Sequence, residues 1–176
     1  MKEYSEDRKF EDLMTDSHLI IQGETKESGS IYIGNQQSAG GFPDKWNHTD
    51  EDYQKVYNEL KSKNITAIIC CADGVEIYPG KFNYLQLPLK DYKECDISQC
   101  FGKTYDFIEE NIIKGNILIH CNAGCSRSVS MLMSYLMKKR KMKFLEAKEL
   151  IRNIRTCIDA SNFDSYLIEY EKELLA

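Results

Sequence analysis

No stretch of this sequence stays apolar for the ~20 residues that a bilayer-spanning helix needs, so no membrane span is expected. The opening Met1-Lys2-Glu3-Tyr4-Ser5 has neither the apolar core of a secretory signal nor a Gly at position 2 for myristoylation. No C-x-x-C pair occurs among the seven cysteines, and Cys121 and Cys125 share one short loop, so no metal site is expected. An odd number of thiols without a secretory framework points to a reducing compartment, cytoplasmic or nuclear. Positive charge is not in excess either. With 23 Lys and Arg against 28 Asp and Glu, the net charge is −5, and no general attraction to nucleic acid or to an anionic membrane is expected. The one dense basic run, Lys138-Lys139-Arg140-Lys141, reads as a solvated helix end favoured by the helix dipole, with a docking patch as the alternative. Internal repeats and low-complexity segments are absent.

What is present suffices for one domain with a real core: 176 residues, 42% of them hydrophobic. Residues 1–29 read as a mobile polar lead-in, interrupted by Leu19-Ile20-Ile21, which suits an edge strand or docking on the body. Residues 30–176 are read as the domain proper. Ser30–Gly34 is predicted as a strand. Gly40–Asp50 is predicted as a loop whose Trp46 either forms a substrate-contacting rim or packs the loop down. Thr49 and Asp52 are spaced like a capping box, and Tyr53, Val56, Tyr57 and Leu60 mark a helix face running to about Lys63. The β-branched run Ile65–Cys71 predicts a buried parallel strand, and Phe82–Leu87 alternates as a short strand does. Asp96 or Ser98 caps a helix with the stripe Phe101, Tyr105, Ile108 and Ile112. Two more helices follow from the spacings at 144–154 and from near Ser161 to Leu174. Strands alternating with helices, then helices stacked at the end, predict a single-domain α/β sandwich with a central, mainly parallel sheet flanked by helices.

The chemistry is concentrated in Ile117–Ser134. An apolar run, Ile117-Leu118-Ile119, predicts a buried strand, and helical spacing begins near Ser128. The loop between them aims backbone N–H groups and the positive end of a helix dipole at one point, which favours an anion. Gly124 lets the backbone close around that point, and the Arg127 fork matches two phosphate oxygens. Cys121 stands in the same electropositive nest. A free thiol ionises near pH ~8.5, and a helix N-terminus with neighbouring cations lowers that by several units. A thiolate beneath a bound phosphate suits nucleophilic attack on phosphorus better than plain binding. Expulsion of an alkoxide or phenolate then needs a general acid, an effect of about 10²–10⁴-fold. Asp91, Glu94 and Asp96 lie on a loop able to supply one.

The residues His120-Cys121-x-x-Gly124-x-x-Arg127-Ser128 resemble the signature of cysteine-dependent protein tyrosine phosphatases, and Ala123-Gly124-Cys125-Ser126-Arg127-Ser128 is similar to its dual-specificity branch. The resemblance implies that fold, no cofactor, and hydrolysis of phosphate monoesters on phosphotyrosine, phosphoserine and phosphothreonine through a phosphocysteine on Cys121. It makes Asn122, Ala123, Gly124, Cys125, Ser126 and Arg127 the phosphate-binding loop. It places the acid at Asp91, in Leu87-Pro88-Leu89-Lys90-Asp91, and leaves Asp96 as the helix cap. Ser128 would donate a hydrogen bond to the departing sulfur, or serve as an N-cap. His120 would brace the loop and aid a low thiol pKa. Asn35 would brace the loop too, or form a simple turn or cap. Some relatives have a second thiol at the end of the strand matching Ile65–Cys71; Cys71, Cys70 or Cys125 is a candidate to trap an oxidised Cys121, with Cys71 the first choice. His18 and His48 show no partners in the sequence and are expected at the surface.

The variable loop positions Asn122, Ala123 and Cys125 are neutral, which favours phosphoprotein over inositol lipid as the substrate. A non-catalytic phosphoprotein-binding scaffold and hydrolysis of a non-protein phosphate are the alternatives. The intact Cys121 argues for the enzyme. At 158–162 the Pro-Asn turn frequent in that branch is replaced by Ile-Asp-Ala-Ser-Asn.

Overall fold

A computed structural model of the chain describes residues 17–23, 28–42 and 48–176. Five strands form one sheet: β1 (Ser17–Ile21), β2 (Ile31–Gly34), β3 (Ile65–Cys70), β4 (Asn83–Gln86) and β5 (Asn116–His120), in the order β1-β2-β5-β3-β4. Strands β2, β5, β3 and β4 run parallel, and β1 adds antiparallel to the edge of β2. The edge strand suggested by Leu19-Ile20-Ile21 is therefore present. The remainder of the polar lead-in, residues 1–16 and 24–27, and Trp46 in the loop at 43–47 lie outside the described residues.

Side chains alternate across the sheet with period two, and the two faces bury separate cores. Ile31, Ile33, Ala67, Ile69, Ile117 and Ile119 face one side, with helices α2 (Phe101–Asn111), α3 (Arg127–Arg140), α4 (Phe144–Ile154) and α5 (Asp164–Leu175). Ile68 and Leu118 face the other, packed by Val56 and Leu60 of helix α1 (Asp50–Ser62) and by Ala39, Phe42 and Phe82. Helix α1 starts where the sequence places it. The Thr49 hydroxyl accepts the Asp52 N–H and the Asp52 carboxylate accepts the Thr49 N–H (2.8 Å), a cap worth about 1 kcal/mol. Asp96 accepts the Ser98 N–H (3.0 Å) and organises the 3₁₀ turn Ser98–Cys100 that leads into α2.

Helix α3 starts where helical spacing begins in the sequence, but it is not a one-sided helix. Every residue from Arg127 to Met137 is buried, because α2, α4, α5 and the sheet surround it. The serines this places in the interior turn their hydroxyls onto the helix backbone: Ser130 donates to the Ser126 carbonyl (3.0 Å) and Ser134 to that of Met131 (2.8 Å). The basic run closes this helix. Lys138 lies over the Tyr105 ring (4.0 Å) and Lys139 pairs with Glu109, so both side chains are held against α2. Among the described residues no helix is long and apolar enough to cross a membrane.

Candidate active site

The central strand β5 ends at His120, helix α3 begins at Arg127, and residues 121–126 form the loop between them. Cys121 is 1% exposed. Its Sγ lies 3.3 Å from the hydroxyl of Ser128, in the first turn of α3, which is the placement a sulfur-directed donor requires. Ser126 precedes the helix but makes no side-chain cap. Its hydroxyl instead donates to Asp91 Oδ1 (2.7 Å).

Gly124 has φ +68°, a conformation other residues adopt only at a cost, and a Cβ there would collide with the Gly34 carbonyl and crowd Arg155 Nη2 (2.8 Å). Arg155 decides the loop's shape. This side chain, 1% exposed, donates from Nε to the Gly124 carbonyl (2.7 Å) and from Nη2 to the Ala123 carbonyl (3.0 Å). In a trans peptide the N–H points opposite to the C=O. Turning these two carbonyls back onto Arg155 therefore turns the N–H groups of Gly124 and Cys125 away from it, into the concave side of the loop. Nη1 of Arg155 lies 2.7 Å from His18 Nδ1 in β1. A guanidinium only donates, so this nitrogen of His18 is the acceptor. His18 is thus no idle surface residue, and His48 stacks on Phe42 (5.4 Å between centroids); the expectation that both lack partners is corrected.

Arg127 ties the loop to the segment carrying Asp91. Its Nη1 donates to the Leu89 carbonyl (2.9 Å), and its Nε lies 3.6 Å from Asp91 Oδ2, too far for a hydrogen bond. The Nε–H is buried and unpartnered among the described residues, a donor left for an oxygen at the loop. Asn162 Nδ2 donates to the Asp91 carbonyl (3.3 Å), and the Asp159 N–H donates to the Cys125 carbonyl (2.8 Å). The segment lacking the Pro-Asn turn thus still packs on the site, with Asp159 accepting the Ser161 hydroxyl (2.8 Å) to shape the bend. Asp96 is committed to its capping role, which leaves Asp91 as the carboxylate against the loop.

Asn35 is wholly buried. Its Oδ1 accepts the Ser38 N–H (2.9 Å), as a cap, while the neighbouring backbone braces the loop through the Gln36 N–H and the Asn122 carbonyl (3.0 Å). Cys71 follows β3, is wholly buried, and donates its N–H to the His120 carbonyl (2.7 Å); burial pushes its thiol well above the usual range. Cys125 is half-buried, and its Sγ lies 2.6 Å from that of Cys157.

Burial pulls the His120 imidazole down to about 4, against a hydrogen bond with the Cys121 backbone and assisted by the Arg127 charge. At neutral pH the ring is uncharged, so it lends Cys121 no cationic support. The unfolded chain binds its proton near pH 6.5 and the folded chain only near 4. Stability therefore falls as pH drops through that window. At pH 4.5 this group costs roughly 2–3 kcal/mol relative to pH 7. Urea unfolding at both pH values should show that loss in the wild type and a correspondingly smaller one in His120→Asn; equal losses would rule out the burial account.

A cleft of about 260 Å³ opens beside the loop, lined by Asn122, His120, Gln36, Phe42, Tyr84 and Gln86 among others. Among the described residues its lining holds no Lys or Arg, and one carboxylate, Asp73. Both amide atoms of Gln86 are buried without a partner among the described residues.

Sequence reading missed Arg155 and Cys157. An Arg just past a helix end reads locally as a dipole-matched surface cation, and no spacing distinguishes it.

Comparison with known proteins agrees with this geometry. Residues 50–173 match the family model described as dual specificity phosphatase, catalytic domain. A Dictyostelium discoideum protein, MAP kinase phosphatase with leucine-rich repeats protein 2, is 39% identical over 116 residues; the match covers 65% of this chain but 17% of that relative. Dual specificity protein phosphatase 1B of Arabidopsis thaliana is 38% identical over 118 residues, 65% of this chain and 71% of that protein. The crystal structure of human tyrosine phosphatase-like serine/threonine/tyrosine-interacting protein superposes with a TM-score of 0.74 at 27% identity, over 91% of this chain and 98% of the other.

Proposed function

We propose, from the premise that this chain belongs to the dual specificity phosphatase family, that it hydrolyses phosphate monoesters on proteins through a phosphocysteine intermediate. The observation that carries this reading is the position of Cys121 Sγ. It sits at the base of a loop whose amides face inward, beside the first turn of α3, with Ser128 Oγ at 3.3 Å. The loop amides and Arg127 hold the phosphate dianion, with Arg127 Nη1 fixed on Leu89 and the Nε edge turned to substrate. The Cys121 thiolate attacks phosphorus while Asp91 protonates the leaving oxygen. Asp91, now a base, then activates water, the S–P bond breaks, and Ser128 hydrogen-bonds the departing thiolate.

Charge supports a phosphoprotein over an inositol polyphosphate. The loop offers Asn122, Ala123 and Cys125, and the lining of the adjoining cleft offers one carboxylate, already paired with Lys90, and no described cation of its own, so further phosphates would meet little compensation. Two Dictyostelium relatives are named MAP kinase phosphatases, so a peptide bearing phosphotyrosine and phosphothreonine is the probe of choice. A phosphoprotein partner, rather than nucleic acid or membrane, and a cytoplasmic or nuclear setting complete the proposal; the net charge of −5 supports the first.

Acid quenching during turnover of a radiolabelled phosphopeptide should trap label on the Cys121 peptide. Asp91→Asn should lower kcat by about 10²–10³-fold while substrate still binds, because the proton transfers of both steps are removed and the phosphate-binding groups are not. Binding without turnover in the wild type would favour the scaffold reading; label on another residue would refute the mechanism.

A further inference from the structure

We propose that Cys125 and Cys157 are a redox clasp: a peroxide joins them as a disulfide that fixes the phosphate-binding loop to the segment carrying Arg155, leaving Cys121 as the thiol. The two sulfurs lie 2.6 Å apart, inside van der Waals contact, although the residues are 32 positions apart. Neither is in a disulfide. A disulfide is ~2.05 Å long, so closure asks for a movement of about half an ångström. The backbone on both sides is already joined, by the Asp159 N–H to the Cys125 carbonyl (2.8 Å) and by Arg155 to the Gly124 and Ala123 carbonyls (2.7 and 3.0 Å). The clasp therefore closes without reshaping the loop.

The chemistry assigns the order of events. Cys157 is exposed and Cys125 half-buried, so peroxide reaches Cys157 first. Hydrogen bonding to Cys157, then burial, disfavours ionisation of the Cys125 thiol, so the exposed Cys157 is the first to react. The Cys157 thiolate displaces hydroxide from hydrogen peroxide and becomes a sulfenic acid. The Cys125 sulfur then attacks that sulfur, and the hydroxyl leaves with the Cys125 proton as water. Altogether two thiols and one peroxide give one disulfide and two waters. Cys71 stays out of this reaction because it is wholly buried, and Cys121 stays out while a bound phosphate fills the loop above it.

The full chain is treated with stoichiometric hydrogen peroxide, with inorganic phosphate present to shield Cys121, then alkylated, digested and mapped by mass spectrometry. The expected product is one Cys125–Cys157 cross-link, two hydrogens lighter than the thiols and reversed by dithiothreitol. Closing a loop of this length should raise Tm by roughly 5–10 °C. After phosphate is removed, aryl phosphate turnover should stay within about twofold of the reduced protein. Cys157→Ser should keep basal turnover and lose both the cross-link and the Tm rise. A disulfide at Cys121 with Cys71, Cys70 or Cys125, no cross-link at all, or a clasped protein that has lost turnover would each overturn the proposal. The mapping does not depend on catalysis, so its failure is separable from failure of the phosphatase reading.

Discussion

Cys121→Ser should lower turnover of an aryl phosphate by at least about 10⁴-fold while fold and phosphate binding persist. The substitution exchanges one atom. A serine hydroxyl in the same nest stays protonated, because even a strongly positive surrounding leaves an alcohol far from ionisation at neutral pH. It is therefore a poor nucleophile and, once phosphorylated, a poor leaving group, so both halves of the cycle fail. The anion-binding parts are untouched. The amides of Gly124 and Cys125 are set by Arg155, and Arg127 is set by the Leu89 carbonyl, bonds that do not involve the sulfur. Steady-state rates, calorimetric titration with inorganic phosphate, and Tm read the three quantities separately. A residual rate within tenfold of wild type would mean that the nucleophile is elsewhere, whatever the loop resembles.

Arg155→Met should have the largest effect on stability, about 3–5 kcal/mol, and should lower kcat/KM by at least roughly 10²-fold. Methionine fills much of the volume but leaves the Gly124 and Ala123 carbonyls without donors in a buried place. Each unsatisfied carbonyl costs about 1–3 kcal/mol, and the loop relieves that cost by rotating the two peptides. Rotation turns the N–H groups of Gly124 and Cys125 out of the cup, so phosphate binding weakens with stability. Arg155→Lys retains the charge but not the two-pronged geometry, and should recover stability more than kcat/KM. Urea unfolding, kcat/KM on an aryl phosphate and phosphate affinity test this together. If Arg155→Met unfolds like wild type and binds phosphate equally well, the loop holds its shape without this side chain.

Several elements were legible because their causes are local. Thr49 and Asp52 cap α1 within one helical turn, and Asp96 caps the turn at Ser98 in the same manner. Strands β3 and β5 were legible as short continuous apolar runs, because a central strand is buried on both faces. Helix α3 was harder. Its sequence shows one apolar face, yet Ser130 and Ser134 are buried with the rest, because burial is set by how many neighbours pack around the helix. Asn35 was expected to brace the loop or to form a turn or cap; its side-chain oxygen caps Ser38, and the adjacent Gln36 amide adds a backbone brace to the loop. A backbone donor carries no mark in the sequence.

The sequence by itself determined the reactive ensemble. Cys121, Gly124, Arg127 and Ser128 fall within eight consecutive residues, and the strand, the tight loop and the helix start that converge them are local stereochemistry. The tertiary structure alone decided what holds that ensemble in shape. Asp91 meets Ser126 across 35 positions, Cys125 meets Cys157 across 32, and Arg155 meets His18 across 137. Such contacts follow from the order in which strands enter the sheet and helices pack on it, a property of the folded chain that no short window of residues encodes.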